Sequence, residues 1–313
     1  MLPEDGSKGV HPQECQLSYN PLLMALLWET LATRDVRLLE NSIRHRERLP
    51  HGCAWVNYLR CHDDIGWTFD DQDAWQLGIN PQGHRQFLNA FYTGKHPGSF
   101  SRGLPFQFNP DNGDLRISGT FSSLAGLEAA LEQQDNEMIE LAVRRINLLR
   151  SIQVSIGGIP LLYAGDEVGL LNDYTFLSDP LKANDSRWVH RSRKRWEAGQ
   201  DLAHTDTLQW RFFHEVVQLF GQRKQSSALR NGGMELVSTG NYHLLAYIRD
   251  GGGQRLLIVN NFSEHPQVMN TGALAASGMK REARDIFTHN TIAAGQDLEL
   301  DAYRYVWIDI SGQ

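Results

Sequence analysis

Residues 54–69 read AWVNYLRCHDDIGWTF, a short apolar run followed at once by Cys61-His62-Asp63-Asp64. The run 54–60 has the length and composition of a buried strand. A histidine beside two carboxylates directly after a buried strand sits where βα barrels place their active face, at the C-terminal strand ends. Working outward, a second buried-strand pattern, IPLLYA (159–164), follows Gly157-Gly158. A helix over about 136–152 feeds it, with Ile139, Ala142, Val143, Ile146 and Leu149 on one face. Helices over about 21–32 and 34–46 precede the first strand. This alternation predicts a parallel α/β sheet or barrel. Nearly a hundred residues separate the two strands. Within them, 65–120 is rich in Gly, Asn, Pro and aromatic residues, and so long a connection in a compact domain is usually functional.

The C-terminal third changes period. MELVS, HLLAYI, RLLIVNNF, LEL and YRYVWIDI are short β-rich runs, and Asp250-Gly-Gly-Gly253 separates two of them as a hairpin turn would. Residues 230–313 therefore read as a small antiparallel β-domain. A helix over about 206–222 leads into it, with Leu208, Phe212, Val216, Leu219 and Phe220 in one stripe. Asp206 or Thr207 can cap it, and Gly221 can end it.

Length and composition narrow the classes. The 313 residues suggest about two domains. At 41% hydrophobic and 21% charged, the chain is a folded globular protein rather than a disordered one. Its net charge of −7 argues against general nucleic-acid binding. No apolar run is long enough to span a membrane. MLPEDGSKGVHPQE lacks the basic-then-apolar order of a leader. Cys15, Cys53 and Cys61 are too few for a disulfide framework or zinc site and read as reduced thiols of a cytoplasmic protein.

Three constellations can carry chemistry, each with a plainer reading. His62 and Asp63-Asp64 orient sugar hydroxyls and stabilise developing positive charge, or they cap the next segment and fill a polar core position. Gly165-Asp166-Glu167-Val168-Gly169 contacts a ligand or metal at the second strand end, or is turn chemistry with a helix cap. Asn184-Asp185-Ser186-Arg187-Trp188-Val189-His190-Arg191 supplies an ion pair and a stacking face, or is a surface loop. The aromatic and amide side chains of 67–108 fit a carbohydrate surface. There is no phosphate loop, no G-x-G-x-x-G and no trusted metal spacing among the histidines.

In order along the chain, ECQLSYNPLLMALLW (14–28), AWVNYLRCHDDIGWTF (54–69), GHRQFLN (83–89), SFSRGLPFQFNP (99–110), GGIPLLYAGDEVGLLNDY (157–174) and NDSRWVHR (184–191) resemble the alpha-amylase superfamily, glycoside hydrolase family 13. The likeness is to its amylosucrases and sucrose hydrolases. It implies the C-terminal part of a (β/α)8 TIM barrel over 1–229, comprising strands six to eight. Segments 54–60 and 159–164 would be strands seven and eight, with a long insertion after strand seven (about 65–130). An antiparallel β-sandwich over 230–313 would follow. The implied reaction cleaves sucrose with retention and passes glucose to an alpha-glucan or to water, without cofactor or metal.

By motif, Asp63 matches the carboxylate that stabilises the transition state, and His62 the neighbouring sugar-binding histidine. Asp64 and Arg187 match the pair closing the glucose pocket. Glu14, Arg85 and Arg116 match positions along the substrate or acceptor path. The family's nucleophile and acid/base follow strands four and five, upstream of the segment that ECQLSYN resembles, so neither role can be assigned here. The expectation is a chain inactive alone, which needs a missing N-terminal half or self-associates through unpaired edges. A non-catalytic carbohydrate-binding remnant and half of a split enzyme are the alternatives.

Overall fold

The computed structural model describes residues 15–46, 49–50, 52–111, 113–193 and 204–313. It opens with β1 (Leu17–Tyr19), α1 (Pro21–Thr33), α2 (Arg37–Arg46) and β2 (Ala54–Tyr58). Helix α1 starts where Asn20 accepts the Leu23 amide at 3.0 Å and Pro21 presets the first turn. It stops at Arg34, whose φ of 59° is left-handed. Being apolar on nearly every face, it is buried on nearly every face.

The connection between the expected strands holds α3 (Asp71–Gln76), α4 (Pro81–Tyr92), β3 (Leu104–Phe106), β4 (Arg116–Ser118), α5 (Phe121–Leu124), α6 (Leu127–Gln133) and α7 (Asn136–Ser155). The second expected strand follows as β5 (Ile159–Leu161). β1, β2 and β5 form one parallel sheet in that order, with Leu17 opposite Ala54 and Val56 opposite Ile159. The two expected strands are thus neighbours, although β2 ends two residues early, at Tyr58. The Asn57 amide donates to Gly157 O at 2.8 Å, tying the turn after α7 to the middle of the sheet. Gly158 makes that approach possible. Its φ is +62°, and a Cβ there would lie 2.4 Å from Trp55 O. β3 and β4 pair as an antiparallel hairpin, so the insertion carries structure of its own.

After β5 come three 3₁₀ turns, Asp166–Val168, Tyr174–Ser178 and Ser186–His190, then α8 (Leu208–Gln225) and α9 (Ser227–Asn231). Thr207 caps α8 by accepting the Trp210 amide at 3.1 Å. Gly221 does not end it. The helix continues to Gln225, where Arg223 donates to Val154 O and, at 2.6 Å, to Gly158 O. A tertiary anchor here outweighs the modest helix penalty of one glycine.

The C-terminal strands are β6 (Gly233–Val237), β7 (Leu244–Gly251), β8 (Gln254–Asn261), β9 (Gln267–Met269), β10 (Ala283–Asp285), β11 (Thr291–Ile292), β12 (Leu298–Leu300) and β13 (Tyr305–Asp309), with α10 (Thr271–Ala276) between β9 and β10. Six form an antiparallel sheet ordered β11-β10-β13-β8-β7-β6, while β9 and β12 pair separately. Gly252 and Gly253, both at positive φ, make the tight turn read from the sequence. One face of the large sheet is bonded to α7. Trp307 Nε1 donates to Ser151 Oγ at 2.8 Å, and the Tyr247 and Ser155 hydroxyls lie 2.6 Å apart. Leu149, Ile152, Tyr247, Ile258 and Trp307 share one core across residue 230. The opposite face builds a second core from Leu257, Val259, Met269, Leu274 and Ile308. Among the described residues no helix is long and apolar enough to cross a membrane.

Candidate active site

The chain leaves β2 through Leu59 and Arg60 and turns sharply, raising His62 and Asp63 into solvent. Their side chains are 69% and 53% exposed, whereas that of Asp64 is only 5% exposed. Asp63 is surrounded without being saturated. His62 Nε2 lies 3.4 Å from Oδ2, while Arg191 Nη2 and Arg187 Nη1 lie 3.6 and 3.8 Å from Oδ1. All three exceed ordinary charge-assisted hydrogen-bond lengths.

Arg187 is held elsewhere. Asp185 accepts from its Nε at 2.9 Å and its Nη2 at 2.8 Å, a bidentate fork. These bonds hold the Asp185 carboxyl below the usual carboxylate range. The guanidinium lies 4.4 Å over the Phe106 ring. Phe106 stands opposite Arg116 in the hairpin, and Arg116 Nη1 reaches Asp64 Oδ2 at 3.2 Å. The expected pairing of Asp64 with Arg187 is therefore replaced by two pairs, Asp64 with Arg116 and Asp185 with Arg187. The local reason is spacing. Asp185 lies two residues before Arg187 in a 3₁₀ turn that it also caps, so its fork forms within the turn itself.

Beneath these groups the loop is clamped. Ile65 and Ile117 exchange both backbone hydrogen bonds, at 2.8 and 3.0 Å. Buried Arg60 donates to Gly119 O at 2.9 Å and to Asp63 O at 2.7 Å. Arg191 Nε donates to His62 O at 2.7 Å. His190 Nδ1 accepts the Gly119 amide at 3.1 Å, which leaves the ring proton on Nε2, 3.1 Å from His62 O. Burial and the neighbouring Arg60 push the His190 pKa down to about 3, so the ring is neutral.

The Gly165–Gly169 segment takes the turn reading. Gly165 N donates to Glu167 at 2.6 Å, and the buried Asp166 is pushed up to about 7 by desolvation. The Cys61, His62 and Asp63 donor atoms lie within 4.8 Å of one another. Cys61 Sγ, however, already accepts the Asp63 amide at 3.4 Å, and two guanidinium groups face Asp63 Oδ1. Those cations oppose a metal ion there.

Of the remaining sequence-derived positions, Glu14 lies outside the described residues. Arg85 braces the 67–71 loop, donating to Trp67 O (3.2 Å), Phe69 O (3.1 Å) and Asp71 (2.6 Å), with its guanidinium 4.4 Å over Phe69. Sequence reasoning gave Arg60, Asp185, His190 and Arg191 no individual role. The last three fall inside NDSRWVHR, so the motif signalled the region but not the contacts.

Residues 234–307 match the family described as Maltogenic Amylase, C-terminal domain. Over 295 residues the chain is 24% identical to trehalose synthase of Thermus thermophilus, a match covering 87% of this chain and 26% of that protein. Its structure is similar to that of AmyP in complex with maltotriose (TM-score 0.60, 12% identity, 94% of this chain and 50% of that one). It is also similar to sucrose 6F-phosphate phosphorylase from Thermoanaerobacter thermosaccharolyticum (TM-score 0.55, 15% identity, 79% and 42%). The chain spans half or less of the length of each. These likenesses give the fold: an alpha-amylase-like α/β arrangement with a C-terminal antiparallel sheet domain.

Proposed function

We propose that this chain is the C-terminal portion of a retaining glucosyl-transferring enzyme of the alpha-amylase type. In this reading β1, β2 and β5 are barrel strands six, seven and eight. Asp63 is the carboxylate that binds the donor ring and stabilises its oxocarbenium-like transition state, with His62 beside it. Asp64, Arg116 and Arg187 shape the pocket wall, while Glu14 and Arg85 belong to the acceptor path. The donor is sucrose and the acceptor an alpha-glucan or water. The nucleophile and the acid/base come from outside these 313 residues, so the chain alone does not turn over sucrose.

The observation that carries this reading is the contrast between two carboxylates. Asp185 has satisfied its acceptors at 2.8 and 2.9 Å. Among the described residues Asp63, which follows the central parallel strand, has only longer contacts, and it is half exposed, so its lone pairs are available to sugar hydroxyls. The likeness to AmyP, whose structures hold maltose and maltotriose, supports maltooligosaccharides as a second ligand class at the same carboxylate.

Isothermal titration with sucrose, maltose and maltotriose tests the site. Binding of at least one, lost in Asp63→Ala, is expected. No heat with any of the three overturns the carbohydrate reading. Fructose release from sucrose by the purified chain, abolished in Asp63→Ala, overturns the claim that it is inactive alone.

A further inference from the structure

We propose that Arg60 and His190 are positioning residues, which fix the main chain of His62 and Asp63 and thereby aim the Asp63 carboxylate into the pocket. This rests on the reading of Asp63 as the ring-binding carboxylate. Neither side chain is exposed enough to meet a sugar, since Arg60 is 1% and His190 3% accessible. Both bond to backbone atoms of the two residues that are exposed. Arg60 holds Asp63 O and His190 holds His62 O, while each also grips Gly119, one through its carbonyl and the other through its amide. Three segments far apart in sequence are thus locked at one point: the loop after β2, the end of the β3–β4 hairpin and the Ser186–His190 turn. Tyr163 fixes the far side of that turn, its hydroxyl donating to His190 O at 3.2 Å.

The imidazole suits this job because it is bifunctional. Nδ1 must accept, since a backbone amide faces it, and Nε2 must then donate. A protonated ring has no lone pair for Gly119, and a phenyl ring satisfies neither partner. An aimed carboxylate matters because misplacement by a fraction of an ångström weakens binding and costs rate.

The two bonds can be separated by substitution. In His190→Gln the side-chain NH₂ replaces Nε2–H and keeps the bond to His62 O. In His190→Asn the carbonyl replaces Nδ1 and keeps only the bond to Gly119. His190→Phe loses both. With maltotriose as probe, His190→Phe and His190→Asn are each expected to lose about tenfold in affinity, the worth of the hydrogen bond to His62 O that both lack. His190→Gln should stay within about threefold of the parent chain. Amide hydrogen exchange supplies a second readout, independent of carbohydrate. In His190→Phe, exchange should rise at Gly119 and His62–Ile65 but not in α7 or β7–β8. If the parent chain binds sucrose or maltose but not maltotriose, the ligand that binds replaces it as probe; if it binds none of the three, the reading of Asp63 fails, and exchange alone judges the clamp. Unchanged exchange at His62–Ile65 in His190→Phe, or His190→Gln no better than His190→Asn in both measurements, overturns the proposal. Should His190→Phe fail to fold, the Gln and Asn pair carries the same comparison.

Discussion

Acid should destabilise this protein through His190, by an amount that follows from its surroundings. In the folded chain burial and Arg60 hold the ring's pKa near 3, against 6.5 for an ordinary histidine. Between those values the unfolded chain binds a proton that the native state refuses. Stability therefore falls as pH drops below about 6.5, and this loss would end only near pH 3. The full shift corresponds to about 5 kcal/mol. Integrated over the accessible range, the loss is about 1.4 kcal/mol from pH 7.5 to 5.5 and about 2.7 kcal/mol to pH 4.5. The perturbation is His190→Gln, which keeps one bond and cannot titrate. Urea unfolding of parent and variant over this pH range gives a difference from which every other titrating group cancels. The parent's advantage at pH 7.5 is expected to shrink by those amounts and then reverse. A difference constant to within about 0.3 kcal/mol would mean that the folded and unfolded chains protonate the ring alike, and would refute the assignment of a neutral, doubly bonded His190.

Asp166 should act with the opposite sign. Its carboxyl is raised from 3.8 to about 7, so the native state keeps a proton the unfolded chain has lost, and stability falls as pH rises through that window. Relative to the parent, Asp166→Asn should gain about 2 kcal/mol between pH 5 and 7, read from urea midpoints, and a flat difference counts against it. Gly158→Ala should cost about 1–3 kcal/mol beyond Gly253→Ala in the same assay. Both sites have positive φ, but only at Gly158 would the new Cβ meet backbone, 2.4 Å from Trp55 O, while Gly253 has open space. Equal costs would remove the steric argument.

How much was legible in the sequence depends on how far apart the partners lie. Helices α1, α7 and α8 are written in local apolar spacing and in capping residues such as Asn20 and Thr207, and the turn between β7 and β8 in adjacent glycines. The strand before His62 and its carboxylates was likewise visible, because a buried run followed by charge needs no distant partner to be read. β1 and the hairpin β3–β4 were not. Three-residue strands carry no period, and their pairing is set by backbone bonds to residues distant in sequence. The same limit applies inside the site. The sequence determined which side chains stand at the end of β2 and that an acid, an imidazole and arginines are at hand. Only the tertiary structure decided that Arg116 takes Asp64, that Asp185 takes Arg187, and that Asp63 is left with long contacts. The Asp185 fork is local, two residues apart, but its place beside Asp63 and the Asp64–Arg116 pair depend on a hairpin 52 residues away and a turn 128 residues away being brought against one loop. Charge and hydrogen-bonding act over a few ångströms of space, whatever the separation along the chain.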